Sequence, residues 1–335
     1  MSRRPTRRLV VAVPLVLVPI ALAACSKAMV APAPGNPVAY AAIGANAAAP
    51  GDTVAPVDAA TGTVGRPVAV GTLPSAVALV PGDASLLVTV KAEDDLVEVS
   101  TATGKVVKKA AVGLEPDAVA VTPDGSTALV ANFGDDTVTE IHLPSLVVGT
   151  TVKVGRQPVA VAVTPDGRQA LVVNFQDGTL TPLSLPSLGV GPAVPVGQEP
   201  VAVTIAPSGT SALVADFQTS SLTPVGLPSL AAGPAQPVGA NPTGIAIPPG
   251  GATAWVSAGD GVTPVSLATG AAGPPVALGV PALCIAYDPV RGGAWVCSGN
   301  RALVDVDVAT GKVSRTVPLG GIPAAVVVTR SAPVS

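Results

Sequence analysis

The chain has 335 residues, a formal net charge of −3, 48% hydrophobic side chains and 12% charged ones. A chain of this length forms one large domain or two, and its 36 glycines and 37 prolines favour an all-β fold with frequent turns. Aromatic residues make up only 2% of the chain, which argues against stacking platforms for nucleic-acid bases or sugars.

The N-terminal segment has the pattern of an export signal. Four arginines precede sixteen largely apolar residues at 9–24, a run shorter than the ~20 residues that span a bilayer. The run ends in Leu22-Ala23-Ala24-Cys25, an order that resembles the cleavage and lipidation site of bacterial lipoproteins. The resemblance implies that residues 1–24 are removed and that lipid on Cys25 anchors the protein to the bacterial cell membrane, outside the cytoplasm. Residues 6–11 also resemble a twin-arginine signal, so the Sec and Tat routes both stay open.

The mature chain is more acidic than the whole sequence. Residues 1–24 hold four of the 18 basic side chains and no acid, which leaves 14 basic against 21 acidic side chains and a net charge of about −7. This charge disfavours nucleic acid and anionic membrane surfaces as partners. Residues 25–37 contain an alternation of alanine and proline at 31–34 and show no apolar periodicity, so we predict an extended tether.

A short pattern that opens with proline recurs along the rest of the chain. The intervals between its seven prolines are 42, 42, 42, 42, 39 and 42 residues. The prolines are Pro74, Pro116, Pro158, Pro200, Pro242, Pro281 and Pro323. In the repeat that begins at Pro158, we predict strands at 159–163, 170–174 and 179–185 and a short fourth strand near 191–196. A fixed period of this size without helical pattern is typical of a β-propeller.

The first strand of each repeat carries small side chains on one face and larger ones on the other. Ala160 and Ala162 alternate with Val161 and Val163, a period-2 pattern that predicts a strand buried on both sides where sheets converge on an axis. Six intervals give six blades. Residues 324–329 supply one further strand and residues 38–70 supply three, so the seventh blade is predicted to join the two ends of the chain. We therefore predict one seven-bladed β-propeller at 38–330, with four antiparallel strands per blade, and a tail at 331–335.

The repeats resemble those of the YVTN-type (YncE-like) bacterial β-propeller family. One repeat contains Pro123-Asp124-Gly125, then Leu129-Val130-Ala131-Asn132, then Asp136-Thr137-Val138. The resemblance covers about residues 38–330 and is strongest at 116–242, while the tyrosine that gives the family its name is missing. Membership implies a seven-bladed propeller that is often exported, and it does not imply one activity.

Polar residues gather in the loops that are expected to surround one mouth of the central channel. We predict a ligand face from the acids and amides of adjacent repeats, which contacts a cation or a partner. Its members are Asp94, Asp95, Asp117, Asn132, Asp135, Asp136, Asn174, Asp177 and Asp216. The alternative is that these are solvated turn residues that bond to nearby backbone.

A metal-dependent hydrolase or lactonase on this scaffold would need several convergent acids or histidines. The positions just after the repeat prolines hold one charged residue, Asp117; the others are Ser75, Val159, Val201, Thr243, Ala282 and Ala324. The single His142 is predicted in a third strand, away from the mouth, so no Ser-His-Asp or His-metal site is predicted. No cofactor is predicted, and a divalent cation is the alternative.

Cys284 and Cys297 form a candidate pair on the first and second strands of one repeat. Aligned with other repeats they replace Ala160 and Val173, which should lie across from each other. In an oxidising compartment these cysteines form a cross-strand disulfide; the alternative is two buried thiols.

The sequence thus predicts a lipid-anchored, monomeric propeller domain that binds a protein or cell-envelope component without catalysis. Two alternatives stay open. One is a metal-dependent enzyme or small-ligand binder that uses the acidic loops, and the other is a structural surface protein without a ligand.

Overall fold

The computed structural model describes residues 36–44, 51–259 and 261–330, and all regular elements in these ranges are β-strands. No helix in this part of the chain is long and apolar enough to cross a bilayer. The predicted signal segment, Cys25, most of the tether and the tail at 331–335 lie outside the described residues.

The strands follow one another in short hairpins. In chain order they are β1 (Val38–Ile43), β2 (Thr53–Asp58), β3 (Val68–Ala69), β4 (Pro74–Leu79), β5 (Ser85–Val90), β6 (Asp95–Ser100), β7 (Lys105–Ala111), β8 (Pro116–Val121), β9 (Thr127–Asn132), β10 (Thr137–His142), β11 (Val147–Lys153), β12 (Pro158–Val163), β13 (Gln169–Asn174), β14 (Thr179–Ser184) and β15 (Gly189–Val190). The remaining strands are β16 (Val194–Pro195), β17 (Pro200–Ile205), β18 (Ser211–Asp216), β19 (Ser221–Gly226), β20 (Gln236–Pro237), β21 (Pro242–Ala246), β22 (Thr253–Ala258), β23 (Gly261–Ser266), β24 (Val276–Ala277), β25 (Ala282–Tyr287), β26 (Ala294–Ser298), β27 (Ala302–Asp307), β28 (Lys312–Pro318) and β29 (Pro323–Val328).

Seven antiparallel sheets form a ring, so the predicted seven-bladed β-propeller is confirmed. Blades 1 to 6 are β4–β7, β8–β11, β12–β16, β17–β20, β21–β24 and β25–β28, and blade 7 has the order β29-β1-β2-β3. The C-terminal strand therefore pairs with the N-terminal one, as predicted, with Ala39 opposite Val328. The Thr329 backbone N–H donates to the Val38 carbonyl over 3.0 Å. This closure leaves no unpaired inner strand in the ring.

The first strand of each blade is innermost, and this position corrects one prediction. In β12 only Pro158 is buried and the other five residues are half-buried, so the strand is not buried on both sides. The physical reason is that its inner face lines the channel. The second strands carry the deepest core, because in β5, β9, β13, β18 and β22 every residue after the first is buried. Apolar clusters form between neighbouring blades.

Each inner strand begins with a β-bulge. In blade 2, Pro116 pairs with Asn132 and Ala118 pairs with Ala131, so Asp117 is the extra residue. In blade 6 it is Ala282, not Pro281, that pairs at the start of the strand. The predicted repeat start at Pro281 is therefore wrong by one residue, and Leu283, not Ala282, occupies the bulge.

The residue type at the fourth position of the third strand correlates with the length of the fourth strand. Blades 1, 2 and 6 have seven-residue fourth strands, and this position holds a buried acid: Glu98, Glu140 or Asp305. The other blades have two-residue fourth strands, and the same position holds Pro56, Pro182, Pro224 or Pro264. Proline has no N–H to donate to a fourth strand, and short edges resist pairing with other chains.

Cys284 and Cys297 lie directly opposite each other on β25 and β26 and are joined as a disulfide, with Cα atoms 4.8 Å apart. Cys297 is fully buried in the cluster that also holds Trp295 and Val326. The bond therefore ties the two innermost strands of blade 6 together, beside the blade that closes the ring.

We expect reduction of this bond to destabilise the propeller modestly. The cysteines are 13 residues apart, and loop-closure entropy for a loop of this size gives at most about 3 kcal/mol. In a Cys25→Ser chain, which retains only these two cysteines, reduction and alkylation should label both thiols, and the melting temperature should fall by several degrees. Alkylation of both thiols in the unreduced, denatured protein would show that the disulfide is absent.

Candidate functional site

The loops between strands 2 and 3 and the linkers between blades lie on one face of the ring, which we call the mouth face. Backbone bonds join the two sets: Lys91 N donates to Leu73 O over 3.1 Å and Phe133 N donates to Glu115 O over 3.1 Å. The start of every inner strand, with its bulge residue, lies at this face. Val38 and Thr329, at the ends of β1 and β29, bond to each other at the opposite face.

The linker that enters blade 2 has three consecutive backbone N–H groups, and a side chain accepts from each of them. Gly113 N donates to Asn132 Oδ1 over 3.2 Å, Leu114 N to Asp135 Oδ2 over 2.7 Å, and Glu115 N to Asp94 Oδ1 over 2.8 Å. Asp94 belongs to blade 1, whereas Asn132 and Asp135 belong to blade 2. The linker is therefore held between two blades, and we call this arrangement the linker clamp.

The clamp recurs around the ring. Arg156 N donates to Asp177 Oδ2 over 2.7 Å, Gln157 N to Asp136 Oδ1 over 2.8 Å, and Gly197 N to Asp216 Oδ1 over 3.0 Å. Glu93, absent from the predicted ligand face, accepts from Thr72 N over 3.0 Å. These repeated contacts are not bonds to the residue's own turn, because donor and acceptor lie 19 to 21 residues apart.

The structure thus places the predicted ligand-face residues in three kinds of contact. Six bond to linker backbone: Asp94, Asn132, Asp135, Asp136, Asp177 and Asp216. Asn174 donates to the Thr179 and Thr181 hydroxyls. Asp95 lies 3.8 Å from Lys109 and Asp117 lies 2.8 Å from Lys91. A ligand role for these side chains stays a prediction.

Asp216 and Asn132 occupy equivalent places with different charge. Asp216 is fully buried, and its Oδ2 accepts from the Thr223 hydroxyl over 2.6 Å. Burial raises the pKa of this carboxyl, against the lowering effect of its bonds to Thr223 and Gly197. Asn132 instead donates through Nδ2 to the Thr137 and Thr139 hydroxyls, over 2.9 Å each. An amide therefore satisfies this position without the cost of a buried charge.

Asp117 and Lys91 form an ion pair at the channel mouth. Lys91 Nζ lies 2.8 Å from Asp117 Oδ1, with the two side chains 30% and 23% exposed, and 5.2 Å from the centroid of the Phe133 ring. Burial raises the pKa of Asp117, and the Lys91 ammonium opposes this shift. The pair leaves neither charge isolated, and it extends from blade 1 to blade 2.

Sequence reasoning overlooked the three phenylalanines of the chain. Phe133, Phe175 and Phe217 begin the loops between strands 2 and 3 of blades 2, 3 and 4, and all three are half-buried. Their spacing of 42 residues was the signal that would have found them. The low aromatic content of 2% argued against stacking sites. That total does not show that these three rings share one repeat position.

The acids on the mouth face do not converge as a metal site would require. Within residues 36–44, 51–259 and 261–330, no three His, Cys, Asp or Glu side chains lie close enough to hold a metal ion together. His142 ends β10, as predicted, with Nε2 4.0 Å from Glu140 Oε2. A cation-dependent activity stays a prediction, which a stoichiometric metal in the purified protein would support.

Two clefts lie between blades 4 and 5, away from the mouth. One has a volume of about 420 Å³ and is lined by small side chains and glycines, among them Ser208, Thr210 and Gly251. The other, of about 210 Å³, lies beside Pro224 and Gln236. Neither lining includes a titratable side chain, so neither offers acid–base or nucleophilic chemistry.

No protein-family model matches the chain, and no curated protein sequence matches it. Solved structures do. A protein of unknown function from Desulfotomaculum acetoxidans is 16% identical with a TM-score of 0.75, over 87% of this chain and 98% of that one. A candidate 6-phosphogluconolactonase from Bacteroides uniformis is 16% identical with a TM-score of 0.73, over 88% and 99%. Hydrazine synthase from Kuenenia stuttgartiensis is 19% identical with a TM-score of 0.68, over 76% and 89%. At these identities the likeness shows the fold alone.

We expect Asp216→Asn to stabilise the protein at neutral pH. Because folding raises the pKa of this carboxyl, the folded state binds its proton more tightly than the unfolded state, and stability falls as pH rises above the ordinary aspartate pKa. The amide removes this cost and keeps both bonds, as Asn132 does. Its advantage over Asp216 should be about 1 kcal/mol at pH 7 and should largely disappear as the pH falls to about 4.

Asp216→Ala is the matched comparison, because it leaves Gly197 N and the Thr223 hydroxyl without their partner. It should lower the free energy of unfolding by about 1–3 kcal/mol. Urea unfolding curves at pH 4 and pH 7 measure both effects. Equal destabilisation by asparagine and alanine would contradict the structural role given to this residue.

Proposed function

We propose that this chain is an exported, lipid-anchored propeller that binds a protein or cell-envelope component through its mouth face. The fold supports a binding role, because a closed ring of rigid sheets presents many loops on one surface. The observation that carries the proposal is the placement of the chain ends. Val38 and Thr329 meet at the face opposite the mouth, so a tether that enters at residue 37 leaves the mouth face unobstructed.

The proposed anchor determines which face of the propeller is turned towards the membrane. The twelve residues from 26 to 37 would extend to about 40 Å as a polyproline-like spacer. With lipid on Cys25, the face that holds Val38 turns towards the membrane and the mouth face turns away from it. A partner in the surrounding compartment then meets the linkers, the loops between strands 2 and 3 and the channel mouth first.

We propose binding rather than catalysis, because most acids of the predicted ligand face already bond to linker backbone, and Asp95 and Asp117 lie beside lysines. Asp135 and Asp177 accept from Leu114 N and Arg156 N, and the lowered pKa of Asp177, due first to the Arg156 backbone N–H, is that of a carboxylate already engaged. The buried Asp216 is likewise bonded on both oxygens.

Lipidation at Cys25 is tested by metabolic labelling with an alkyne fatty acid. We expect label on the natural chain and on a Cys284→Ser, Cys297→Ser chain, and none on Cys25→Ser, because only the Cys25 sulfur follows the predicted cleavage site. Label that persists in Cys25→Ser would contradict the anchor.

The binding face is tested by photocrosslinking in intact cells. A photoreactive side chain at Gln198, exposed on the mouth face, should give a discrete adduct that is absent when the same group replaces Ser208, exposed on the opposite face. Adducts only from position 208 would place the binding surface on the face opposite the mouth and would contradict the proposal. No adduct from either position would favour the structural alternative.

A further inference from the structure

The seven blades share one position at the channel mouth, directly after the second strand. Four blades place a long side chain there and three place glycine. Around the ring the residues are Lys91, Phe133, Phe175, Phe217, Gly259, Gly299 and Gly44. The three rings are therefore consecutive, on blades 2, 3 and 4, and we call them the phenylalanine arc. The rest of the mouth has no side chain at this position apart from Lys91.

The arc is not part of the core. Phe133, Phe175 and Phe217 are half-buried, and none of them belongs to the apolar clusters that the described residues form between blades. Their backbones bond to the linkers: Phe175 N donates to Gln157 O over 3.0 Å and Phe217 N to Glu199 O over 3.1 Å. Any residue with an N–H can make these bonds, so the bonds themselves do not require aromatic rings.

The bulge residues of blades 3 and 4 are apolar, whereas the bulge residue of blade 2 is Asp117. Val159 and Val201, at the bulges of blades 3 and 4, are both half-buried. The equivalent hydroxyls of Ser75 and Thr243 are occupied, since they donate to the carbonyls of Pro116 and Ala282 over 2.8 Å. The mouth of blades 3 and 4 thus presents phenylalanine and valine, which favours an apolar group of a ligand.

Lys91 shows how a cation meets this surface. Its ammonium lies 5.2 Å from the Phe133 ring centroid, within the range of a cation–π contact, and pairs with Asp117. For Phe133, the equivalent residue of the preceding blade is Lys91. For Phe175 and Phe217, the equivalent residues of the preceding blades are Phe133 and Phe175, so neither ring has a lysine at that neighbouring position. The carboxylates of Glu115 and Glu199 form no hydrogen bond or ion pair with described residues, while their carbonyls accept from Phe133 N and Phe217 N. Free negative charge therefore borders the arc at both ends.

We propose that the phenylalanine arc binds an extended peptide segment of a partner protein, with apolar side chains at its centre and lysine or arginine at its flanks. The proposal rests on the proposed function and names the chemistry of its ligand. The apolar centre covers the rings and valines of blades 3 and 4. The flanking cations meet Glu115 and Glu199, in keeping with the acidic excess of the mature chain. A peptide fits better than a small molecule because the arc extends over three consecutive blades.

The small number of phenylalanines makes the test direct. The full chain contains three of them, so a Cys25→Ser chain labelled with 4-fluorophenylalanine gives three fluorine resonances, assigned by single Phe→Leu variants. It is titrated with a pool of octapeptides that carry Leu, Val or Phe at four central positions and Lys or Arg at the flanks. The control pools replace the flanks with glutamate or the centre with serine.

We expect the basic pool to shift the Phe175 and Phe217 resonances at concentrations at least tenfold lower than either control pool. The basic pool should also shift the Phe133 resonance, and a Phe175→Ala, Phe217→Ala chain that remains folded should lose that shift. Rings that stay unshifted by the basic pool, or that respond equally to the glutamate pool, would overturn the proposal. Rings shifted by dissolved toluene and not by peptides would assign the arc to a small apolar ligand instead. In either case, crosslinking from position 198 would still decide the proposed function separately.

Discussion

The structure depends on one constraint at the mouth face: the linkers that enter blades 2, 3 and 4 need side-chain acceptors for their backbone N–H groups. These groups come together where the inner strands start around one axis; the bond to Gly113 N is half-buried, and those to Leu114 N and Glu115 N are exposed. Asp94, Asn132 and Asp135 solve the problem for the linker at 113–115 with one side chain per N–H. Because the acceptors come from both flanking blades, the same bonds fix the angle between neighbouring sheets.

Because of this constraint, some side chains at the mouth hold the linkers, and others are left to bind a partner. The carboxylates of the predicted ligand face bond to the linkers or, for Asp95 and Asp117, lie beside lysines. The rings of Phe175 and Phe217 and the carboxylates of Glu115 and Glu199 make no cation–π contact, ion pair or side-chain hydrogen bond with described residues, while the Phe133 ring lies beside the Lys91 ammonium. The closure of the ring adds direction, since Val38 and Thr329 bond at the opposite face. We therefore regard the mouth as an interaction surface on a scaffold whose polar groups mostly serve the scaffold itself.

The sequence predicted the fold closely and the site poorly, for different physical reasons. Blade number, strand order and the pairing of β29 with β1 follow from a period and from local alternation, which a single repeat already displays. The half-buried state of β12 and the shift from Pro281 to Ala282 depend on the channel and on the bulge, which pattern alone does not show. The contacts of Asp135 and Asp177 join residues 21 positions apart, so the sequence did not show the clamp, and a ligand role for these residues stays a prediction. The arc was visible in the spacing of the phenylalanines but was obscured by their small number.

The central claim is that the mouth recognises its partner through aromatic rings while its acids hold the linkers. The most direct test is the recovery of partner from intact cells by a chain with Phe133→Ala, Phe175→Ala and Phe217→Ala, measured together with its melting temperature. We expect this variant to remain folded, with a melting temperature lowered by several degrees, and to lose the partner. Full recovery of the partner by this folded variant would contradict the central claim.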